Sequence, residues 1–124
     1  MPRGCGVCKT TNALKIVQTL VLPPDSRSDD IILQVIKCAQ CGFKGLAVYE
    51  ESRRGALDSE SWSHTAYRVA SQDLKSVVAA IRACPAPRDP KCQCDTHHQL
   101  GSRDRSGRWN GLQKITVEDS FQIL

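Results

Sequence analysis

Two short cysteine pairs, Cys5-Gly6-Val7-Cys8 and Cys38-Ala39-Gln40-Cys41, are the first residues in this chain whose type and spacing could do chemistry. Each pair puts two thiols on one tight turn, within reach of one ion. Two such turns a hairpin's length apart supply four thiolates, a set that suits tetrahedral, borderline-soft zinc. Gly42 follows the second pair, where backbone amides must turn toward the sulfurs and a side chain would obstruct them. Disulfides are the competing reading. The doubled spacing and the odd total of 7 cysteines both weigh against it. Zinc held by four thiolates has no position left for water, so the expected role is structural.

A second cluster follows downstream: Cys84, Cys92, Cys94 and His97. Cys94-x-x-His97 repeats the spacing of the pairs, and Cys84 precedes a proline-stiffened loop. Three thiolates and one imidazole complete a second set of four ligands. The neighbouring His98 competes for the fourth place, and nothing local decides between the two. Free thiols in a loop are the plain alternative, and an iron–sulfur cluster also stays open because sulfur dominates the set. His64, with Ser61, Ser63 and Asp58 close in sequence, can be drawn as a Ser–His–acid group. It lacks the Gly-x-Ser-x-Gly elbow, and a partly buried strand histidine explains it better. Zinc-deaminase, P-loop and dinucleotide signatures are all missing.

Arg53, Arg54, Arg103, Arg105 and Arg108, with Trp109, are the candidates for binding. Arginines beside an aromatic can grip phosphate and stack on a base, although a solvated loop gives the same pattern. The formal net charge is +4. Two metal sites with seven thiolates between them would lower it to about +1. Bulk basicity is therefore a weak argument for nucleic acid.

These side chains need elements to position them. Lys15–Leu22, Ile31–Lys37 and Gly45–Glu50 read as strands, with a Pro-Pro loop from Pro23 to Asp30 between the first two. Trp62–Val69 reads as a further strand. Ser71-Gln72-Asp73 opens a helix whose Leu74, Val77, Val78 and Ile81 form one apolar stripe, ending near Cys84 before Pro85. Residues 95 to 100 suit one helical turn closed by Gly101. Trp109, Leu112, Ile115, Val117, Phe121 and Ile123 are expected to pack on the body or on a partner.

Knuckle, strand, loop, strand, knuckle, strand is the order of a zinc ribbon, and residues 5 to about 50 resemble one. Their spacing is similar to that of the YgiT-type zinc-finger antitoxin family. The resemblance implies a nucleic-acid-binding regulator, in which a helix-turn-helix domain follows the ribbon. The chain after the ribbon departs from that pattern, with no helix pair suited to such a motif.

The expected fold is α+β: a three-stranded antiparallel zinc ribbon over 1–55, then one amphipathic helix and a Cys/His-rich lobe over 56–124. At 124 residues and 5% aromatic, the core is modest and suits a metal staple. Met1-Pro2-Arg3-Gly4 lacks an apolar leader segment, and no run is long enough to span a membrane. Cysteines used as ligands then point to a reducing cytoplasm. The function expected is a non-catalytic zinc-binding adaptor or small subunit recognising a protein partner. An antitoxin-like regulator and a small metal-dependent hydrolase are the alternatives. One zinc is expected at the first site and a second at the downstream cluster.

Overall fold

The computed structural model describes residues 13–52 and 61–123. Along them run β1 (Leu14–Leu22), β2 (Asp30–Cys38), β3 (Lys44–Ser52), β4 (Ser61–Val69), α1 (Ser71–Ala83), α2 (Asp95–Leu100) and β5 (Val117–Gln122). All five strands join one antiparallel sheet in the order β1-β2-β3-β4-β5.

This corrects the expected three-stranded ribbon with one amphipathic helix: among the described residues the sheet has five strands and the helices are two. The physical reason lies at the outer edge of β3. A third strand left as an edge would expose a row of unpaired amides. Here β4 pairs along it from Leu46↔Tyr67 to Ser52↔Ser61, crossing the expected boundary between 55 and 56. After both helices the chain returns as β5 alongside β4, from Thr65↔Gln122 to Val69↔Val117. The broader α+β description is compatible with this arrangement.

Strand alternation sends two sets of side chains to opposite faces. Leu20, Leu22, Ile31, Leu33, Leu46 and Val48 are buried on one, where Val77 and Ile81 of α1 meet them. Leu14, Ile36, Ala47, Ala66 and Phe43 form a smaller cluster on the other. There the Phe43 and Phe121 ring centroids lie 5.8 Å apart. The register of β1 shifts between Ile16 and Gln18. That one-residue bulge moves β1 from one cluster to the other: Leu14 and Ile16 serve the second, Leu20 and Leu22 the first.

The apolar stripe of α1 packs as its spacing requires, but Ser71, which opens the helix in the sequence, does not cap it. Ala70 holds the cap position without a side-chain hydrogen bond. The Asp73 carboxylate instead accepts the Thr116 N–H at 2.8 Å, tethering the segment that leads into β5. No helix among the described residues is long and apolar enough to cross a membrane.

Candidate metal centre

Pro85 disfavours helical backbone at the residue before it, and Cys84 is accordingly extended (φ −73, ψ 126) where α1 ends. Its side chain is buried in the main core cluster. After the proline-containing loop, Cys94 caps α2, and its Sγ accepts the His97 N–H at 3.4 Å. One helical turn then carries His97 round to the same side as Cys94. Thr96 fixes that turn against α1 by donating its hydroxyl to the Ala80 carbonyl at 2.7 Å.

These constraints bring Cys84, Cys92, Cys94 and His97 together, with all four ligand atoms within 4.8 Å of one another. Cys84 Sγ lies 3.4 Å from Cys94 Sγ and 3.9 Å from Cys92 Sγ. His97 Nδ1 is 3.3 Å from the sulfurs of both Cys84 and Cys94. Zinc about 2.3 Å from sulfur and about 2.0 Å from nitrogen would hold tetrahedral ligands roughly 3.5–3.8 Å apart. The group fits such an ion with only small adjustments.

The far side of the imidazole agrees. His97 Nε2 is 3.0 Å from the Val21 carbonyl on β1. A carbonyl only accepts, so Nε2 carries the proton and Nδ1 presents its lone pair to the cluster. This also decides between the two histidines. His98 is exposed and its Nε2 pairs with Gln93 Oε1 at 3.0 Å, whereas His97 is buried and faces the sulfurs.

The thiols are electrostatically unequal. Burial, helped by the neighbouring Cys94 and Cys92 sulfurs, pushes the Cys84 thiol up to about 11. The backbone N–H of His97, with hydrogen bonds from the neighbouring Cys84 and Cys92 thiols, pulls Cys94 down to about 6. Cys94 is thus ready to bind as thiolate, and a cation at the centre would offset the penalty that burial imposes on Cys84.

The other cysteine turn is described in half. Cys38 is buried at the end of β2, and its Sγ accepts the N–H groups of Gln40 and Cys41, both at 3.4 Å. Gly42 follows with φ +76, a conformation that side chains disfavour, and its N–H reaches the Cys38 carbonyl at 3.2 Å. Amides aimed at a sulfur are what a bound thiolate needs. Cys5 and Cys8 lie outside the described residues, as do Arg53 and Arg54.

The remaining binding candidates divide. Arg108 Nη1 donates to Asp25 Oδ2 at 2.6 Å, and its Nη2 lies 3.6 Å from Glu50 Oε1. Trp109 donates its backbone N–H to the same Asp25 oxygen at 2.8 Å and its indole N–H to the Leu100 carbonyl at 2.6 Å. Both residues bind the chain to itself. Arg103 and Arg105 are exposed, with Arg103 bridged to Trp109. His64 contacts Gln34 Oε1 at 2.7 Å and meets the Tyr49 ring edge-on. Ser63 alternates to the opposite face of β4.

Sequence reasoning missed Asp25, Thr96 and the Val21 carbonyl. Only Asp25 left a signal, an Asp-Ser-Arg-Ser turn after two prolines, in which its Oδ1 accepts the N–H groups of Arg27 and Ser28. No family model, curated protein or solved structure matches this chain.

Proposed function

We propose that this protein is a non-catalytic, zinc-stapled binding module, an adaptor or small subunit that recognises a protein partner. The observation carrying this reading is the complete ligand set at Cys84, Cys92, Cys94 and His97. Three thiolates and one imidazole satisfy a tetrahedral zinc, leaving no position for a water nucleophile. Its surroundings suit a staple: Cys84 ends α1, His97 rests on β1 through Val21, and α2 bonds to α1 through Thr96. The ion would join both helices to the sheet where core area alone is modest. Cys38 and Cys41, with Cys5 and Cys8, are proposed as the second structural zinc site. A zinc-ribbon relationship and a cytoplasmic location belong to the same proposal.

Cobalt substitution tests the non-catalytic claim. Cobalt in a closed thiolate-rich tetrahedron should give intense visible bands that do not change when azide or thiocyanate is added. Anion-dependent bands would reveal an exchangeable position and favour the hydrolase instead.

A further inference from the structure

The surface between α1 and the sheet end that carries the Cys38 turn is unlike the rest of the described molecule. Two adjoining clefts of about 530 and 250 Å³ meet there, sharing Leu74, Val78, Lys44 and Arg82 as walls. The floor is aliphatic. Leu74 and Val78 are only partly covered by the core, and Val17, thrown out by the β1 bulge, is 56% exposed. The rim is cationic: Lys37, Lys44, Lys75 and Arg82 are all exposed, and among the described residues neither cleft is lined by a carboxylate. Lys37 and Lys44 are register partners on β2 and β3, while Lys75 and Arg82 stand two helical turns apart on α1. The cations therefore border the apolar floor from both sides.

Gln18, in the wall of the smaller cleft, adds a polar preference. Its Nε2 donates to the Val78 carbonyl at 3.4 Å, while its buried Oε1 has no partner among the described residues. A buried acceptor without a donor is costly, and turning the amide toward a ligand N–H would relieve that cost. A peptide backbone carries such donors. A phosphodiester backbone carries none, and among the described residues the clefts are lined by no aromatic ring on which a base could stack.

From the aliphatic floor, the carboxylate-free cationic rim and the waiting acceptor, we infer that this groove binds an acidic amphipathic segment of a protein partner. Its apolar side chains would lie on Leu74, Val78 and Val17, and its carboxylates would meet the four cations. The inference rests on the adaptor reading and gives it a binding surface.

The test is anisotropy of the intact, metal-loaded protein with a fluorescein-labelled acidic peptide built of leucines and glutamates. Binding should be saturable. It should weaken at least about tenfold in the protein carrying both Lys75→Glu and Arg82→Glu, exposed changes that should lower the melting temperature by no more than about 5 °C, Arg82 being in the last turn of α1. It should weaken similarly when the peptide's leucines become serine. No binding, equal binding by the serine peptide, or tighter binding of labelled oligothymidine would overturn the inference. The cobalt spectrum, recorded on the same protein, separates the two failures. An exchangeable position would sink the adaptor reading itself, whereas a closed site with no peptide binding would sink only the groove.

Discussion

Stripped of metal by a strong chelator, the protein should lose its cooperative thermal transition. Apparent zinc-binding energies in small thiolate sites reach about 10–16 kcal/mol, as large as the whole net stability of an ordinary domain at about 5–15 kcal/mol. The downstream cluster lies where such a loss would spread furthest. Cys84 and Leu100 belong to the same buried cluster as Leu20, Leu33 and Ile81, and His97 reaches β1. Without an ion, no cation offsets the burial of Cys84, whose thiol stays protonated well above neutral pH, and only hydrogen bonds hold the four groups together. Circular dichroism should show helix and strand signal melting without a sharp midpoint, restored by added zinc. A chelated protein that keeps its midpoint and its cooperativity would show the metal to be dispensable for the fold.

The second large effect is expected far from any cysteine. Asp25→Asn should destabilise the protein by about 3 kcal/mol, near the lower end for breaking a buried pair because Arg108 is partly exposed. Asp25 is fully buried as a side chain, and both its oxygens are used. Asparagine could still accept from Arg27 and Ser28. Its amide would then face the Arg108 guanidinium and the Trp109 N–H, donors against a donor. The melting temperature should fall by about 10 °C. Burial alone would raise the Asp25 pKa, but the N–H groups of Ser28, Trp109 and Arg27 and the Arg108 charge outweigh it, so the net shift is downward. A lowered folded pKa means that this stabilisation is present above the ordinary carboxylate value and lost as pH falls through the folded one. The gap between wild type and Asp25→Asn should therefore close on acidification below about pH 4. A gap that widens there would mean that the carboxylate does not act as charged.

Most individual elements were legible in the sequence. The β-branched runs gave β1, β2 and β3 within a residue or two, and the Leu74–Ile81 stripe gave α1. Gly101 and the single turn before it gave α2. These are local signals, fixed by side-chain periodicity and by prolines that stop an element. Assembly was harder to read. Pairing of β4 with β3 depends on satisfying an edge, and β5 returns across a long connection with the mostly polar sequence VEDSFQ, which carries little apolar alternation. The downstream cluster was found because ligand types at short spacing are themselves local. Choosing His97 over His98 needed the Val21 carbonyl, contributed by a distant strand. Arg108 and Trp109 stand in the sequence as binding candidates, yet their carboxylate and carbonyl partners lie inside the fold. Asp25, 83 residues from Arg108 in sequence, was visible only as a turn former.

Cys84, Cys92, Cys94 and His97 are proposed to hold a metal ion together. Native mass spectrometry of the wild type and of Cys92→Ser tests this most directly, with elemental analysis to identify the ion. Cys92 is the ligand to change because it is less deeply buried than Cys84 and does not cap a helix as Cys94 does, so its loss should spare the packing. Removing a thiolate from a site of this kind should lower its affinity enough to empty it during purification. The wild type is expected to carry zinc, and the variant one equivalent fewer. Identical metal content in the two proteins would contradict the assignment.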